Sequence, residues 1–212
     1  IIIAKHSEPN YPMYVLLGVI GWGMFSRILN GTVNSLTKNS GMIKQTNIPM
    51  QIYSFSMAVT QLIISCLSLL IVIPFMVHLN LAPTVNLWML PISILALMMT
   101  AWGFGLIFAS TNVLFPDISH LFRFITRAGF FVSPVMWTYE MLVERAGNSV
   151  YFDIAMLNPV VIPLTCIRHS IDGTTPDFEM MHIIYATLFP ITSYIIGSIV
   201  FSKYSRKVVT SL

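Results

Sequence analysis

Formal charge is what this chain lacks. Lys, Arg, Asp and Glu together make up 9% of its 212 residues, and 56% of it is hydrophobic. A soluble domain carries roughly 25% charged residues to keep its surface wet, so a soluble enzyme or binding module is excluded. Disorder is excluded by the same apolar content. The two cysteines, Cys66 and Cys166, make neither a disulfide framework nor a zinc site. The chain has no G-x-x-x-x-G-K-[ST] phosphate loop, no H-E-x-x-H and no G-x-S-x-G. Its five histidines, His6, His78, His120, His169 and His182, fall at expected span ends or in loops. An intramembrane enzyme would need ionisable groups at mid-bilayer depth, which makes it the remote alternative.

What is there is a membrane protein. Residues 45–116 form a run of 72 without Asp, Glu, Lys or Arg, and a spanning helix needs about 20 apolar residues. The run is broken at residues 78–86, where Asn and Pro mark a turn, and predicts spans over 52–77 and 87–111. Three further spans are expected over 14–36, 118–139 and 178–201, giving an all-α bundle of about five complete spans. No ten-residue alternation suggests an outer-membrane barrel, and no internal repeat of the transporter kind is visible. The opening Ile1–Ala4 is too short to span and has no basic n-region before it, so it does not read as a signal peptide. It reads as the tail of an earlier span.

Alternating loops divide the charges. One side collects Lys38, Lys44, Arg123, Arg127, Lys203, Arg206 and Lys207 with a single acid, Asp117. The other collects Lys5, Arg145 and Arg168 with Glu8, Glu140, Glu144, Asp153, Asp172, Asp177 and Glu179. Lys and Arg are enriched in cytoplasmic loops, which puts the C-terminus inside. Trp88, Trp137, Tyr11, Tyr139 and Tyr204 fall at span ends, where an aromatic belt places them.

Two segments are neither span nor short loop. On the inner side, residues 38–50 hold mildly amphipathic Met42-Ile43-Lys44-Gln45 followed by Ile48-Pro49. They read either as a plain surface loop or as a short helix that docks into a soluble partner. On the outer side, residues 140–177 contain an apolar stretch broken by Pro159 and Pro163. Irregular backbone at membrane depth must be buried in protein or line a cavity, which favours a pair of re-entrant half-helices. The alternative is an amphipathic helix lying on the outer surface.

The order of these pieces carries a resemblance. Tyr11-Pro12 is followed by Asn34-Ser-Leu, Ile43-Lys44 and Ile48-Pro49. Then come Asn112-Val-Leu-Phe-Pro-Asp117-Ile-Ser-His120, Phe131-Val-Ser133-Pro134-Val, Leu157-Asn158-Pro159 and Arg168. In this order the chain resembles the permease subunit of type-2 ABC exporters, in the branch that exports polysaccharide, O-antigen or teichoic acid. Family permeases have six spans preceded by an interfacial helix; here that helix and most of the first span are missing, so the chain reads as truncated. The resemblance implies an inner-membrane homodimer served by two copies of a separate ATPase, which holds ATP and Mg; this chain needs no cofactor of its own. Its cargo is implied to be a lipid-linked glycan, with membrane lipids as neighbours and no nucleic acid. A permease of the same type that moves a drug or lipid is the nearer alternative.

The same resemblance implies site residues. Met42, Ile43, Lys44, Gln45, Ile48 and Pro49 match the coupling helix that sits in a groove of the ATPase. Leu157, Asn158, Pro159 and Arg168 match the external gate. Trp22, Phe25, Phe104, Phe108, Phe130 and Phe131 are candidates to line the channel and stack on sugars; otherwise they pack against lipid or neighbouring helices. Arg123 and Arg127, one helical turn apart, are candidates to grip the cargo's phosphates through their planar forks. Snorkelling to anionic lipid is the competing role.

Overall fold

A computed structural model of the chain describes residues 11–45, 48–79, 84–147 and 149–208. The expected span tail at residues 1–4, together with Lys5, His6 and Glu8, lies outside them. So do Thr46 and Asn47 of the expected coupling segment and residues 80–83 of the expected turn.

Among the described residues every regular element is a helix: α1 (Tyr11–Val33), α2 (Ser35–Lys38), α3 (Ser40–Gln45), α4 (Gln51–Leu69), α5 (Val72–His78), a 3-10 turn (Val85–Trp88), α6 (Met89–Leu114), α7 (Asp117–Val132), α8 (Tyr139–Ala146), α9 (Val150–Met156), α10 (Val161–Asp172) and α11 (Met180–Val208). Four stretches are long and apolar enough to cross a membrane: Tyr11–Val33, Gln51–His78, Val85–Leu114 and Met180–Ser205. A fifth arises if α9 and α10, bent by 82° at their junction, count as one broken span. The chain is an all-α membrane bundle of four to five spans.

Proline sets the breaks. Pro74 has no N–H to offer Leu70 and its ring crowds that carbonyl. The turn between α4 and α5 accordingly tightens to i−3 bonds, Leu70 N to Leu67 O and Ile71 N to Ser68 O. Pro134 forces the residue before it out of helical geometry, and Ser133 is extended (φ −85°, ψ 157°). The expected span over 118–139 is therefore cut short. At 16 residues, α7 rises about 24 Å, less than the roughly 30 Å hydrocarbon core.

The bundle is built in two layers. About 56% of the apolar window is buried in Tyr11–Val33 and in Val85–Leu114, against 11% in Gln51–His78 and 17% in Met180–Ser205. Helices α1 and α6 are the core, and α4 and α11 present their outer faces to lipid. Small residues let α6 and α11 nearly touch: a Cβ on Gly197 would collide with the Gly103 carbonyl oxygen. Close backbone approach of this kind is the common way membrane helices pack.

Hydrogen bonds between distant residues define the two ends. At one, Asn112 Nδ2 donates to Val33 O at 3.2 Å and Gln51 Nε2 to Ser202 Oγ at 2.7 Å, which gathers the neighbourhood of Lys38, Lys44, Asp117 and Lys203. At the other, Tyr11 Oη donates to Met136 O at 3.0 Å and Asn86 Nδ2 to Gly173 O at 2.9 Å, which gathers Glu140, Asp172, Asp177 and Glu179. The division of charge read from the loops is thus a division between a basic and an acidic end of the bundle.

Candidate functional site

The acidic end holds the most irregular backbone of the molecule. Between α7 and α8, residues 133–138 leave helical geometry while still packed inside the protein, so their carbonyls need partners. Three consecutive ones find them on side chains. Arg168 Nη2 donates to Val135 O at 2.9 Å, Tyr11 Oη to Met136 O at 3.0 Å, and Arg168 Nη1 to Trp137 O at 2.9 Å. The remaining guanidinium nitrogen, Nε, donates to Tyr14 O at 3.1 Å. Arg168 is only 4% exposed, and among the described residues the one salt bridge joins other groups, His169 and Glu140. Its charge is met by carbonyl dipoles. A planar fork with several donors is what reaches three carbonyls on two elements at once.

This fork shapes the sequence around it. A Cβ at position 18 would lie 2.6 Å from Arg168 Nη2 and 2.9 Å from Val135 O, so Gly18 is the residue that lets α1 approach. The turn between α9 and α10 joins the same knot: Asn158 Nδ2 donates to Ser133 Oγ at 2.9 Å, and Asn158 Oδ1 accepts from Val160 N at 3.1 Å. Tyr185 Oη donates to Leu157 O at 2.7 Å and fastens the turn to α11. Leu157 itself is exposed, while Asn158 and Pro159 are half-buried. At its far end α10 stops on Gly173, whose φ of +79° is a left-handed cap. Glu140 tethers α8 to α10 by accepting from His169 Nε2 at 2.9 Å. Desolvation pushes the Glu140 carboxyl up, but hydrogen bonds from His169, from its own backbone and from Thr138 outweigh it and hold the carboxyl down at about 2.

The basic end is regular and open. Asn112, 1% exposed, ties α6 to the end of α1 through Val33 O and, at 3.4 Å, Asn34 Oδ1. Beyond it α2 and α3 project. Met42 is 56% exposed, and Lys44, Gln45, Ile48 and Pro49 are exposed with it. Ile43 departs from the expected docking set: it is buried against Leu36, Leu106, Ala109 and Phe201. A six-residue helix needs an anchor, and Ile43 supplies it, leaving Met42 to face outward.

The aromatic residues expected to line a channel mostly pack inside the chain's own bundle. Trp22 and Phe25 are buried in the main core, with ring centroids 5.3 Å apart. Phe104 and Phe108 pack against that core and pair with Phe189 at 5.9 Å and Phe122 at 4.7 Å. Phe130 packs there too. Phe131, at 71% exposure, is the one of the six that presents its ring outward. Aromatic rings bury large areas and pair with each other, and that gain is available within this one chain.

Arg123 and Arg127 share an exposed side of α7, whose packed face is Ser119, Phe122 and Thr126. Arg123 is engaged by Ser119 O at 3.3 Å and His120 Nδ1 at 3.1 Å; among the described residues Arg127 makes no such bond. Sequence reasoning missed the polar stripe along α1 formed by Ser26, Arg27, Asn30 and Asn34. Arg27 Nη2 donates to Ser65 Oγ of α4 at 3.4 Å, and Asn30 Nδ2 donates to Thr126 Oγ1 of α7 at 3.1 Å. The recurrence at positions 26, 30 and 34, one helical turn each, was the signal that could have found it.

The bundle thus carries a short projecting helix at one end and a sharply bent helix pair at the other. Residues 3–171 match the ABC-2 type transporter family, and the chain belongs to it. It is 22% identical over 203 residues to the O-antigen export system permease protein RfbA of Klebsiella pneumoniae, covering 95% of this chain and 76% of that one. It is 25% identical over 168 residues to the protein of the same name from Myxococcus xanthus, covering 77% of this chain and 62% of that one. To the polysialic acid transport protein KpsM of Escherichia coli it is 22% identical over 206 residues, covering 95% and 76%.

Proposed function

We propose that this chain is the membrane-spanning subunit of an ATP-driven exporter that carries a lipid-linked polysaccharide across the cytoplasmic membrane. The observation that carries the reading is the likeness, along 95% of the chain, to permeases named for O-antigen and polysialic acid export. The chain works as a homodimer with two copies of an ATPase that holds ATP and Mg. The basic end faces the cytoplasm, as the enrichment of Lys and Arg in cytoplasmic loops requires, so the C-terminus is inside. Met42, Lys44, Gln45, Ile48 and Pro49 meet the ATPase, with Ile43 as the anchor behind them. Movement of that helix passes through the Asn34–Asn112 contact into α1 and α6. The bent pair α9–α10, held by Arg168, gates the outer end.

Arg127, exposed beside the polar stripe's partner Thr126, engages the phosphates of the cargo. Loading of lipid-linked glycan should fall in Arg127→Gln and be only partly rescued in Arg127→Lys, which keeps the charge but loses the fork. Full export by Arg127→Lys would assign the residue to snorkelling. The reading as a whole is tested by depleting the permease in its own host. Lipid-linked glycan should accumulate on the inner leaflet. Unchanged glycan export with a newly acquired drug sensitivity would favour the drug-permease alternative.

A further inference from the structure

Away from the gate and the coupling helix, a cavity of about 280 Å³ lies between the first turn of α4, the middle of α6 and the second half of α11. Its back wall is Trp102, set against Phe55 (ring centroids 5.4 Å apart, planes at 45°) and Tyr194 (4.8 Å, 37°). Its rim is Ile52 and Phe55, each about half exposed, so it opens sideways from the bundle. Polar groups cluster along one side. Trp102 Nε1 donates to Ser54 Oγ at 3.4 Å, and Gln51 Nε2 donates to Ser202 Oγ at 2.7 Å. Two polar atoms remain free of any hydrogen bond among the described residues: the Ser198 hydroxyl and Gln51 Oε1. None of the residues lining the cavity carries a charge.

Depth fixes the surroundings. The stretch Gln51–His78 is 28 residues, about 42 Å of helix against roughly 30 Å of hydrocarbon. About four residues at each end therefore reach headgroup level. Gln51 and Ser54 sit at that level and Phe55 at its edge, on the basic end of the bundle. A pocket here meets lipid headgroups. Its volume is below the roughly 300–1,000 Å³ typical of sites for whole drug-sized ligands, so it suits a headgroup whose tails stay outside. Toward the membrane centre, exposed Ile191 and Ile195 of α11 continue the opening.

The lining selects the headgroup's chemistry. Ring faces suit the apolar face of a sugar, while hydroxyl and amide groups at its edge suit the sugar's hydroxyls. A phosphate would enter without a cation to meet it, and burying an unpaired charge is costly. We propose that this cavity binds the uncharged sugar headgroup of a membrane glycolipid from the leaflet at the basic end, with its tails lying along Ile191 and Ile195. The inference does not rest on the cargo's identity.

The test is native mass spectrometry of the complex released from membranes supplied with glucosyl diacylglycerol, phosphatidylglycerol and a pyrophosphate-linked sugar lipid of matched tails. Preferential retention of the glucosyl lipid is expected. Ser198→Leu, which fills the cavity from a half-exposed position, should cut retention by about fivefold or more, the worth of a single neutral hydrogen bond. Phe55→Leu, on the exposed rim, should weaken it as well and serves if Ser198→Leu fails to assemble. Equal retention of all three lipids, or a glucosyl preference untouched by both variants, would overturn the proposal. Preference for the pyrophosphate-linked lipid would also overturn it and mark the cavity as a cargo station.

Discussion

The two ends of the bundle solve opposite problems. At the acidic end the helices break, and side chains from α1, the α9–α10 turn, α10 and α11 claim the irregular segments, with Arg168 alone holding three carbonyls. At the basic end the helices stay regular, one buried residue anchors a short projecting helix, and Met42, Lys44 and Gln45 are left to the outside. The first end is complete within the chain. The second holds its projecting helix by one buried residue. Irregular backbone packed inside the protein needs partners for its carbonyls, whereas a regular helix satisfies its own backbone.

Breaking the closed end should have the largest effect. Arg168→Ala leaves the Val135 and Trp137 carbonyls, which lie outside any helix, without their partner, at about 1–3 kcal/mol each. Loss of detergent-stable protein is expected, with Arg168→Lys intermediate because an ammonium cannot span the fork. A thermal-shift comparison of the purified variants checks this, and a wild-type melting temperature for Arg168→Ala would remove the knot's structural role.

Next comes a pair that separates anchor from contact at the open end. Ile43→Asp buries a carboxylate among Leu36, Leu106 and Phe201, so assembly itself should suffer. Met42→Asp should leave insertion and melting unchanged but abolish co-purification of the ATPase. Co-purification retained in Met42→Asp would move the docking surface elsewhere.

A smaller contrast comes from glycine. Gly18→Ala meets Arg168 Nη2 and Val135 O at under 3 Å and should destabilise by about 1–3 kcal/mol, as overpacking does. Gly41→Ala, with nothing within 4 Å of the added carbon, should be neutral or gain up to about 1 kcal/mol of helix propensity. Equal tolerance at both positions would mean that the two ends are packed alike.

The smallest effect is pH-dependent. The Glu140 carboxyl is held at about 2, below its ordinary 4.5. Its contact with His169 is therefore worth its full amount above about pH 4.5 and is lost as pH falls toward 2. The protection of α8 amides, corrected for the intrinsic pH dependence of exchange, should fall between pH 5 and pH 3 in the wild type. It should do so much less in Glu140→Gln, whose side chain does not ionise. Identical profiles for the two would show that the tether does not hold α8.

The residues of the sequence motif turned out to meet in space. Asn34 reaches Asn112 at one end, and Ser133, Asn158 and Arg168 gather at the other. Their order was legible; their partnership was not, because Arg168 bonds to main-chain carbonyls, which every residue has and no composition reveals. The aromatic residues illustrate a related point. A ring is apolar in the sequence whether it faces a channel or a neighbour, and only packing shows that Phe108 faces Phe122. The span expected over 118–139 ended early because Pro134 outweighed the apolar residues around it.

By itself the sequence determined the solvent and the class of fold. A run of 72 residues without formal charge can be hidden only in lipid, and transfer free energy depends on composition more than on arrangement. The segregation of Lys and Arg from Asp and Glu likewise settled which loops share an end. The tertiary structure alone decided which of those apolar residues are core and which meet lipid, that Ile43 anchors while Met42 projects, and that a buried arginine holds the broken helices together. Those outcomes rest on contacts between residues far apart in the chain, whose energies exist only once the helices are side by side.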